Sequence, residues 1–562
     1  MKDPFLSQLR VSLRVLALIT AAVLAGCATV EAPPAPPREL SIFSINDFHG
    51  HLQAKGPVPL MARVPDASGE LKGQPAGGVA HLATVLQGLR AQRQHSVFVA
   101  AGDLIGATPL LSSLLKDEPT LAALGELGLA ASALGNHELD AGLKELQRKT
   151  RGECPSDGCA WPGFKGPGFP YLAANMLDVQ TGLPVLPTHV VRDVAGLKVA
   201  FVGVVTRDTP MVVIPSGIRG LRFVDEVHTL NALVPQLRAE GAQVLIAVMH
   251  EGASHQGAAN DPSYACPGLQ GRGVDIAKGL DRAYAMLITG HTHQAYTCKI
   301  NGRLVVQAGS NGGWLTETRL TLSGRGELLD AQAVNHAVLQ AQYQPNPGFV
   351  ALVQRAAELT ASIRNKPIAQ LSRGAQRAVQ APYADSTMGN LIADAQLAYA
   401  KRRGPADMAF MNPGGIRADL AVEPGRAVTL GDLFAVQPFS NDLVVMSLSG
   451  AQVHDLLQRQ LPKTDAPPRL LQVSHSLHYR WKLHDGKPVL GTVLVDGQAL
   501  ELGRNYRVVV NNFMAEGGDG HGIFKQGRDR VSLGMDIDAL SELLAEQPQS
   551  IERIQSGRIV RE

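Results

Sequence analysis

The sequence predicts an α/β fold made of two units that are joined by a helix. The 562 residues exceed the ~100–200 residues of one typical domain. Between about residues 40 and 325, short apolar runs of strand length recur, and several of them end in a polar cluster. Over residues 349–363, apolar side chains recur at helical spacing, which indicates a helix that connects this part to a second unit.

Composition excludes two classes of protein. The chain has 52 Lys and Arg against 50 Asp and Glu, so bulk positive charge cannot drive nucleic-acid binding, and we expect no nucleic-acid partner. Hydrophobic residues make up 45% of the chain, which is enough to build cores and argues against a disordered protein.

Residues 1–26 have the pattern of an export signal. Three cations accompany an apolar run over 15–24 that is too short to span a bilayer: Lys2, Arg10 and Arg14. The run ends in Leu-Ala-Gly before Cys27, which resembles the lipobox of bacterial lipoproteins. An ordinary signal peptide that contains a cysteine is the alternative. We expect an exported protein that Cys27 anchors by lipid, at an outer membrane facing the periplasm or the cell surface.

Removal of the signal leaves 49 charges of each sign, so lipid rather than charge would hold the protein at the membrane. Residues 27–40 are proline-rich and are expected to form a semi-rigid spacer. The expected domains are then a catalytic unit over 41–340, the connector helix within 341–365 and a second unit over 366–562.

Four further cysteines are candidates for disulfides in an oxidising compartment: Cys154, Cys159, Cys266 and Cys298. Four cysteines can be connected in three ways. We favour the connectivity in which neighbours in sequence pair, Cys154 with Cys159 and Cys266 with Cys298. Zinc binding is the weaker alternative, because the pairs lack a two-residue spacing.

Five polar clusters follow predicted strands in the first unit. Each alone is typical of a turn or a helix cap. Because α/β sheets place ligands at the carboxyl ends of their strands, five such clusters in one unit indicate a divalent metal centre. The candidate ligands are Asp47, His49, Asp103, Asn136, His250, His291 and His293.

The chain resembles the calcineurin-like metallophosphoesterases in the order of five short motifs. These are Asp-Phe-His (47–49), Gly-Asp (102–103), Gly-Asn-His-Glu (135–138), Met-His (249–250) and Gly-His-Thr-His (290–293). Together with the second unit, they are similar to the bacterial 5′-nucleotidase family, which includes UDP-sugar hydrolases, over roughly residues 40–540. The resemblance implies a four-layer α/β/β/α sandwich followed by an α/β substrate-specificity domain.

The resemblance also implies two metal ions. One would be bound by Asp47, His49, Asp103 and His293, and the other by Asp103, Asn136, His250 and His291. Several relatives have Gln where this chain has His293. Mixed imidazole, carboxylate and amide ligands suit Zn²⁺, Mn²⁺ or Co²⁺. Two such ions would generate a bridging hydroxide for in-line attack on a phosphate ester.

The resemblance gives His137 and Asp140 catalytic roles. His137 would stabilise or protonate the leaving oxygen, and Asp140 would orient His137. A buried structural imidazole is the alternative for His137, and a charge at a helix N-terminus is the alternative for Asp140.

The second unit contains three segments that resemble the family's substrate-binding segments. The expected contacts are Gly414, Gly415 and Arg417 with the phosphate side, and Phe439, Asn441, Phe513 and Asp519 with the nucleoside. Both phenylalanines could instead be core residues. Relatives carry an arginine near residues 381–385, where this chain has none, so Arg373 or Arg377 would have to replace it.

The leading hypothesis is a secreted 5′-nucleotidase with two divalent metal ions. The rivals are a UDP-sugar or dinucleotide diphosphatase and a 2′,3′-cyclic phosphodiesterase with 3′-nucleotidase activity. A related thiosulfohydrolase shares the metal fold, but the two phenylalanines favour a nucleobase. A surface nucleotide-binding lipoprotein without catalysis is the alternative from another class. The sequence leaves the oligomeric state open.

Overall fold

The computed structural model describes residues 36–56, 60–156, 158–377, 384–461 and 470–562. The predicted signal segment and Cys27 lie outside these ranges. Within them, no helix combines the length and the apolar character that crossing a membrane requires.

The first domain contains sixteen strands and eight helices among the described residues. Its strands are β1 (Arg38–Ile45), β2 (Met61–Pro65), β3 (Leu71–Pro75), β4 (Ser96–Ala100), β5 (Leu129–Ala133), β6 (Tyr171–Leu172), β7 (Met176–Asp178), β8 (His189–Val194), β9 (Leu197–Val205), β10 (Leu221–Phe223), β11 (Val244–His250), β12 (Tyr284–Ile288), β13 (Ala295–Ile300), β14 (Arg303–Ala308), β15 (Trp314–Leu322) and β16 (Leu328–Ala337). Its helices are α1 (Val79–Arg90), α2 (Leu110–Ser113), α3 (Glu118–Glu126), α4 (Leu143–Arg151), α5 (Thr209–Val212), α6 (Glu226–Ala239), α7 (Arg272–Gly279) and α8 (Pro347–Arg364).

Two six-stranded sheets form the centre of this domain, in the orders β16-β15-β1-β4-β5-β6 and β13-β14-β12-β11-β9-β8. The strands β1, β4, β5 and β6 run parallel, as do β14, β12, β11 and β9. The carboxyl ends of the parallel strands therefore meet at one edge of each sheet.

Three hydrophobic cores separate four layers. Between the two sheets lies a core that includes Ile42, Val99, Phe201 and Ile246. The outer face of the first sheet packs against α1, α3 and α8, and the outer face of the second packs against α6 and α7. Because both faces of each sheet are covered, its central strands are apolar on both sides, as the continuous runs in the sequence predict. The predicted α/β/β/α sandwich is confirmed.

The end of the predicted spacer (27–40) overlaps the first strand. Residues 38–40 belong to β1, where Arg38 pairs with Leu322 and Leu40 is buried between the sheets. The Arg38 guanidinium also donates to the carbonyls of Ala195 and Gly196, at 2.7 and 2.9 Å.

The connector helix belongs to the first domain. The Asn346 side chain caps α8 by accepting from the Gly348 amide at 3.0 Å. Phe349 and Ala356 of this helix are buried in the core on the outer face of the first sheet. The predicted helix over 349–363 is therefore present, and its buried face also completes the outer helical layer of the catalytic unit.

The second domain follows with strands β17 (Pro367–Ala369), β18 (Met408–Met411), β19 (Val428–Thr429), β20 (Asp442–Ser449), β21 (Gln472–Val473), β22 (Leu477–His484), β23 (Lys487–Val495), β24 (Gln498–Ala499), β25 (Asn505–Asn511), β26 (Arg528–Met535) and β27 (Ile559–Arg561). Its helices are α9 (Thr387–Lys401), α10 (Leu430–Val436), α11 (Gly450–Arg459), α12 (Asn512–Ala515), α13 (Asp536–Glu546) and α14 (Ser550–Arg553). A five-stranded sheet, β21-β18-β25-β20-β26, lies between one core shared with α9, α10 and α13 and another shared with α11 and β22–β23.

The two domains pack against each other. Leu110 of α2 enters the core of the second domain. The Ser216 amide donates to the Glu516 carboxylate at 3.2 Å. Loops of the second domain consequently lie over the strand ends of the first.

The structure contains two disulfides, Cys154–Cys159 and Cys266–Cys298, which are the pairings favoured from the sequence. The second joins β13 to the loop that follows β11.

Candidate active site

The seven predicted metal ligands meet at the carboxyl ends of five strands, β1, β4, β5, β11 and β12. Asp47 and His49 follow β1, Asp103 follows β4, Asn136 follows β5, and His291 and His293 follow β12. His250 is the last residue of β11 itself, whereas the sequence placed it after the strand. Five of the seven adopt a left-handed backbone conformation, which non-glycine residues rarely adopt: Asp47, His49, Asp103, His291 and His293. Such strain persists where the surrounding structure enforces it, and it clusters at functional sites.

The first group of ligands consists of Asp47, His49 and His293. The Nε2 atoms of the two histidines are 3.2 Å apart, and the His293 Nε2 lies 3.4 Å from Asp47 Oδ1. The other oxygen of Asp47 accepts from the Asn46 side chain at 2.7 Å, which fixes the carboxylate.

The second group consists of Asp103, His250 and His291, with Asn136 beside it. His250 Nε2 lies 3.0 Å from Asp103 Oδ2 and 3.1 Å from the Asn136 side-chain oxygen. The same Asp103 oxygen is 3.7 Å from His49 Nε2 of the first group. Asp103 therefore lies between the two groups, as a shared ligand would.

Backbone carbonyls orient two of the imidazoles. His49 Nδ1 lies 2.9 Å from the Gly106 carbonyl, and His250 Nδ1 lies 2.7 Å from the Ala101 carbonyl. When Nδ1–H donates to a carbonyl, the Nε2 lone pair is left to face the group, which is the usual arrangement of metal-binding histidines.

The electrostatics fit cations between these side chains. Burial opposes ionisation of Asp103, but His250 and His137 hold the pKa of its carboxyl well below the usual range. Burial likewise opposes protonation of His250, yet Asp103 raises its pKa to about 10. Buried carboxylates need cationic partners. The mixed donor set of imidazoles, carboxylates and one amide fits two borderline divalent ions.

Glu138 is a site residue whose role the sequence did not reveal. One of its oxygens accepts from the amides of Asp103 and Gly135, at 3.0 and 2.7 Å, and the other accepts from Leu104 at 2.7 Å. Burial and the neighbouring Asp103 raise the pKa of Glu138 to about 7. This carboxyl ties the loop after β4 to the loop after β5, and thereby positions Asp103 and Asn136. The sequence does contain a signal for this residue, because Glu138 is the last member of the Gly-Asn-His-Glu motif.

Glycine is required where these loops touch. A Cβ on Gly135 would lie 2.1 Å from the Asp103 carboxylate, so no other residue could precede Asn136 without displacing Asp103.

His137 borders the ligand groups and faces the second domain. Its Nδ1 lies 2.9 Å from Asp140 Oδ2, and its amide donates to the other oxygen of Asp103 at 2.9 Å. Burial lowers the pKa of His137, whereas Asp140 and Asp103 raise it. The rise outweighs the fall, so the net shift of this pKa is upward. Asp140 follows a short 3₁₀ turn and pairs with His137, so it does not serve as the first-turn charge of a helix.

A cavity of about 800 Å³ joins the ligand groups to the second domain. All seven predicted substrate-binding residues line it: Gly414, Gly415, Arg417, Phe439, Asn441, Phe513 and Asp519. The Phe439 ring stacks on His137 with centroids 5.6 Å apart, and the Arg417 guanidinium lies 5.9 Å from the centre of the Phe439 ring. Asn412 donates to the Asp519 carboxylate at 2.8 Å.

Two of these residues also support the fold. Asn441 is buried, and its carbonyl accepts from the Asp536 amide at 2.8 Å. Phe513 packs against the second-domain core, and a Cβ on Gly518 would lie 2.4 Å from its ring. A core role for Phe513 therefore coexists with its position at the cavity wall.

The structure separates the two candidate replacement arginines. Arg377 lines the cavity and donates to the carbonyl of Arg417 at 2.8 Å. Arg373 instead binds carbonyls of α14, including that of Ile551 at 2.7 Å. Of residues 381–385, only Ala384 and Asp385 are described, and Asp385 accepts from the Gly557 amide at 2.9 Å near the end of the chain.

Comparisons with known proteins agree with this architecture. Residues 40–295 match the calcineurin-like phosphoesterase family, and residues 367–526 match the 5′-nucleotidase C-terminal domain. The Bacillus subtilis (strain 168) endonuclease YhcR is 29% identical over 523 residues, which are 92% of this chain and 41% of that protein. The chain thus spans less than half the length of this relative.

Two further proteins match along nearly their whole length. A 5′-nucleotidase of Vibrio cholerae is 26% identical over 601 residues, covering 97% of this chain and 98% of that protein. The crystal structure of a 5′-nucleotidase precursor from Thermus thermophilus aligns with a TM-score of 0.73 and 25% identity, covering 93% of this chain and 99% of that one. The chain therefore belongs to the hydrolase family that combines a calcineurin-like phosphoesterase domain with a 5′-nucleotidase C-terminal domain.

Proposed function

We propose that this chain is a metal-dependent phosphohydrolase that removes the 5′-phosphate of nucleotides. The observation that carries the proposal is one shared cavity, in which His137 and the ligand groups face Arg417, Phe439 and Phe513. A phosphate ester with a flat, neutral leaving group matches those two walls.

The residues of the first domain would provide the reaction chemistry. Two divalent ions, when bound there, would supply a nucleophile at neutral pH and neutralise the phosphoryl oxygens. His137 would donate a proton to the 5′-oxygen as the bond between phosphorus and that oxygen breaks. Asp140 would keep the ring of His137 oriented through its 2.9 Å contact with Nδ1. The products are the nucleoside and inorganic phosphate.

The residues of the second domain would provide binding. The Arg417 fork suits the phosphoryl oxygens, and Arg377 supports it through the Arg417 carbonyl. Phe439 and Phe513 offer aromatic faces to the base, a contact that tolerates any base. The Asp519 carboxylate would accept from a ribose hydroxyl.

A diphosphatase is the second candidate, and a specific cavity favours it. A further space of about 480 Å³ borders His293 and is lined by two arginines, Arg377 and Arg417. Their two positive charges could hold a second substituent on the phosphorus, as in a UDP-sugar or a dinucleotide.

The same proposal includes export. Two disulfides suit an oxidising compartment, and one similar structure is that of a precursor protein. We propose lipid anchoring at Cys27, which lies outside the described residues.

Chromatographic analysis of all products tests these functions, because a diphosphatase or a cyclic phosphodiesterase breaks a P–O bond without releasing inorganic phosphate. The full chain, loaded in turn with Zn²⁺, Mn²⁺ and Co²⁺, is assayed with 5′-, 3′- and 2′,3′-cyclic nucleotides, UDP-glucose, NAD and an aryl phosphate. We expect the highest kcat/KM with a 5′-nucleotide. A preference for UDP-glucose or NAD would favour the diphosphatase, and preference for a cyclic or 3′-nucleotide would contradict both. Nucleotide binding without hydrolysis of any substrate would favour the binding protein.

A further inference from the structure

A second cavity of about 690 Å³ lies beside the proposed nucleotide cavity. We call it the side chamber; its wall includes Met211, Leu456, Arg459, Gln460, His521 and Gln526. Its volume is within the ~300–1,000 Å³ that is typical of ligand sites.

The two cavities meet at the residue that we assign to the ribose. Asp519 and Val212 line both of them. A group attached to a ribose hydroxyl beside Asp519 would consequently extend into the side chamber, whereas the 5′-phosphate and the base would remain in the main cavity.

The walls of the side chamber suit a partly apolar group that carries a single negative charge. Met211, Leu456 and Ile523 provide apolar surface. His521 adds a polar edge, and burial lowers the pKa of its imidazole, which favours the neutral ring. Among the described lining residues, the one carboxylate is Asp519 and the one guanidinium is that of Arg459.

The loop between these walls allows close approach. Gly520 and Gly522 line the side chamber, and the lack of a side chain lets a ligand come close to the backbone there. Arg459 is held at the rim by an ion pair with Asp455 at 2.8 Å and stays largely exposed, so its charge can still reach a phosphate.

We propose that the side chamber binds a second nucleotide that is joined to the 3′-oxygen of the substrate ribose. The protein would then remove the 5′-phosphate from short 5′-phosphorylated oligonucleotides as well as from mononucleotides. The chemistry is unchanged: water adds its oxygen to the phosphorus, the bond to the 5′-oxygen breaks, and that oxygen takes the proton. This inference rests on the proposed function, because Asp519 marks the ribose only if the base lies beside Phe439 and Phe513.

The length of the oligonucleotide is limited. The near balance of 52 cations and 50 anions provides no basic track for a polymer. The side chamber has room for about one nucleotide, by the usual volumes of ligand sites. A dinucleotide with a 5′-phosphate and a free 3′-hydroxyl, pNpN, is therefore the probe of choice.

Gly522 allows the side chamber to be filled without disturbing the fold. A Cβ at this position meets no atom within 4 Å, and its φ is not positive. Gly522→Phe should reduce kcat/KM for pNpN about tenfold or more, as steric exclusion from a specificity site does, and leave pN within about twofold. Gly503→Phe is the matched control, since Gly503 is equally open and lies outside the side chamber.

A second variant removes the positive charge of Arg459 and leaves the space of the side chamber open. Arg459→Gln should raise KM for pNpN about fivefold and leave KM for pN unchanged, because only the dinucleotide has an internal phosphate. If the Tm of Gly522→Phe shows that this variant does not fold, Arg459→Gln alone tests whether the side chamber binds the second nucleotide.

The outcomes separate the two proposals. If wild-type protein releases phosphate from pN but not from pNpN, or if both variants lower the two activities equally, the side chamber is only a crevice between the domains. If neither pN nor pNpN is hydrolysed while an aryl phosphate is, the nucleotide function itself fails.

Discussion

The two walls of the central cavity are built in opposite ways. On the first-domain wall, Asp47, Asp103 and His250 are fully buried and held by several hydrogen bonds each. On the second-domain wall, three residues are only partly buried: Phe439 in a loop, Phe513 in the one-turn helix α12 and Asp519 in a 3₁₀ turn. The reaction is thus assigned to a rigid surface, and substrate choice to an adaptable one.

The difference has an energetic reason. Five ligands in left-handed conformations cost roughly 1–3 kcal/mol each, which only a well-packed surround can offset. Cations between the ligands would add to that compensation. The second-domain wall has one such residue among its proposed contacts, Asp519, so its loops can change with little effect on the reaction chemistry.

Among variants that leave the metal ligands intact, the largest effect is expected from His137, which contacts both walls. His137→Ala should lower kcat about 10²–10⁴-fold for a nucleotide, whose leaving oxygen needs a proton. The loss should be much smaller for an aryl phosphate, whose leaving group departs as an anion. Rates with both substrates measure this, and equal losses would count against the leaving-group role.

A weaker effect on the same wall is expected from Glu138. In Glu138→Gln, an amide NH₂ would face N–H donors that now bind an oxygen, so the loops that carry Asp103 and Asn136 would separate. Metal affinity should fall about 10–100-fold, with activity restored by excess metal. Titration calorimetry measures the metal affinity.

Glu145→Gln is the matched control for Glu138, because Glu145 pairs with Arg148 away from the site. Unchanged metal affinity in the Glu138 variant would show that this carboxyl does not position the ligands.

Substitutions in the second-domain wall should lower activity only with nucleotide substrates. Phe513→Ala should remove about 1–3 kcal/mol of stacking with the base. The kcat/KM for a nucleotide should fall accordingly, and the kcat/KM for the aryl phosphate should not change. Because Phe513 also packs against the core, the Tm of the variant must be compared. A parallel loss on both substrates, together with a lower Tm, would assign Phe513 to the fold alone.

The smallest effect is expected from Arg377, which supports Arg417 from behind. Arg377→Met should raise KM for nucleotides about fivefold, with little change in kcat, since it weakens one charged contact. Arg373→Met should lower stability without changing KM, because Arg373 binds α14. The reverse pattern would mean that Arg373 is the replacement arginine.

The sequence predicted the first-domain wall well, and the reason is local. Each ligand follows or ends a short apolar strand, so parallel pairing alone brings Asp47, Asp103 and Asn136 to one edge. The α/β class follows from the same runs.

The remaining features depend on contacts between distant segments. Glu138 gains its role from four loop amides that only the fold assembles. The choice of Arg377 over Arg373 depends on how β17, α14 and the Arg417 loop pack. The place of α8 in the first domain and the side chamber are likewise products of packing, to which no motif points.

Metal content is the sharpest test of the shared ligand, because Asp103 can bridge only if two ions are bound. Elemental analysis of the purified full chain, with phosphate release measured on the same sample, is compared with Asp103→Asn. Wild type should hold two divalent ions per chain and hydrolyse a 5′-nucleotide. The variant should hold fewer ions and lose about 10³-fold or more of kcat at an unchanged Tm, because the shared carboxylate is gone. A well-folded Asp103→Asn protein that keeps two ions and full activity would show that Asp103 is not a shared ligand.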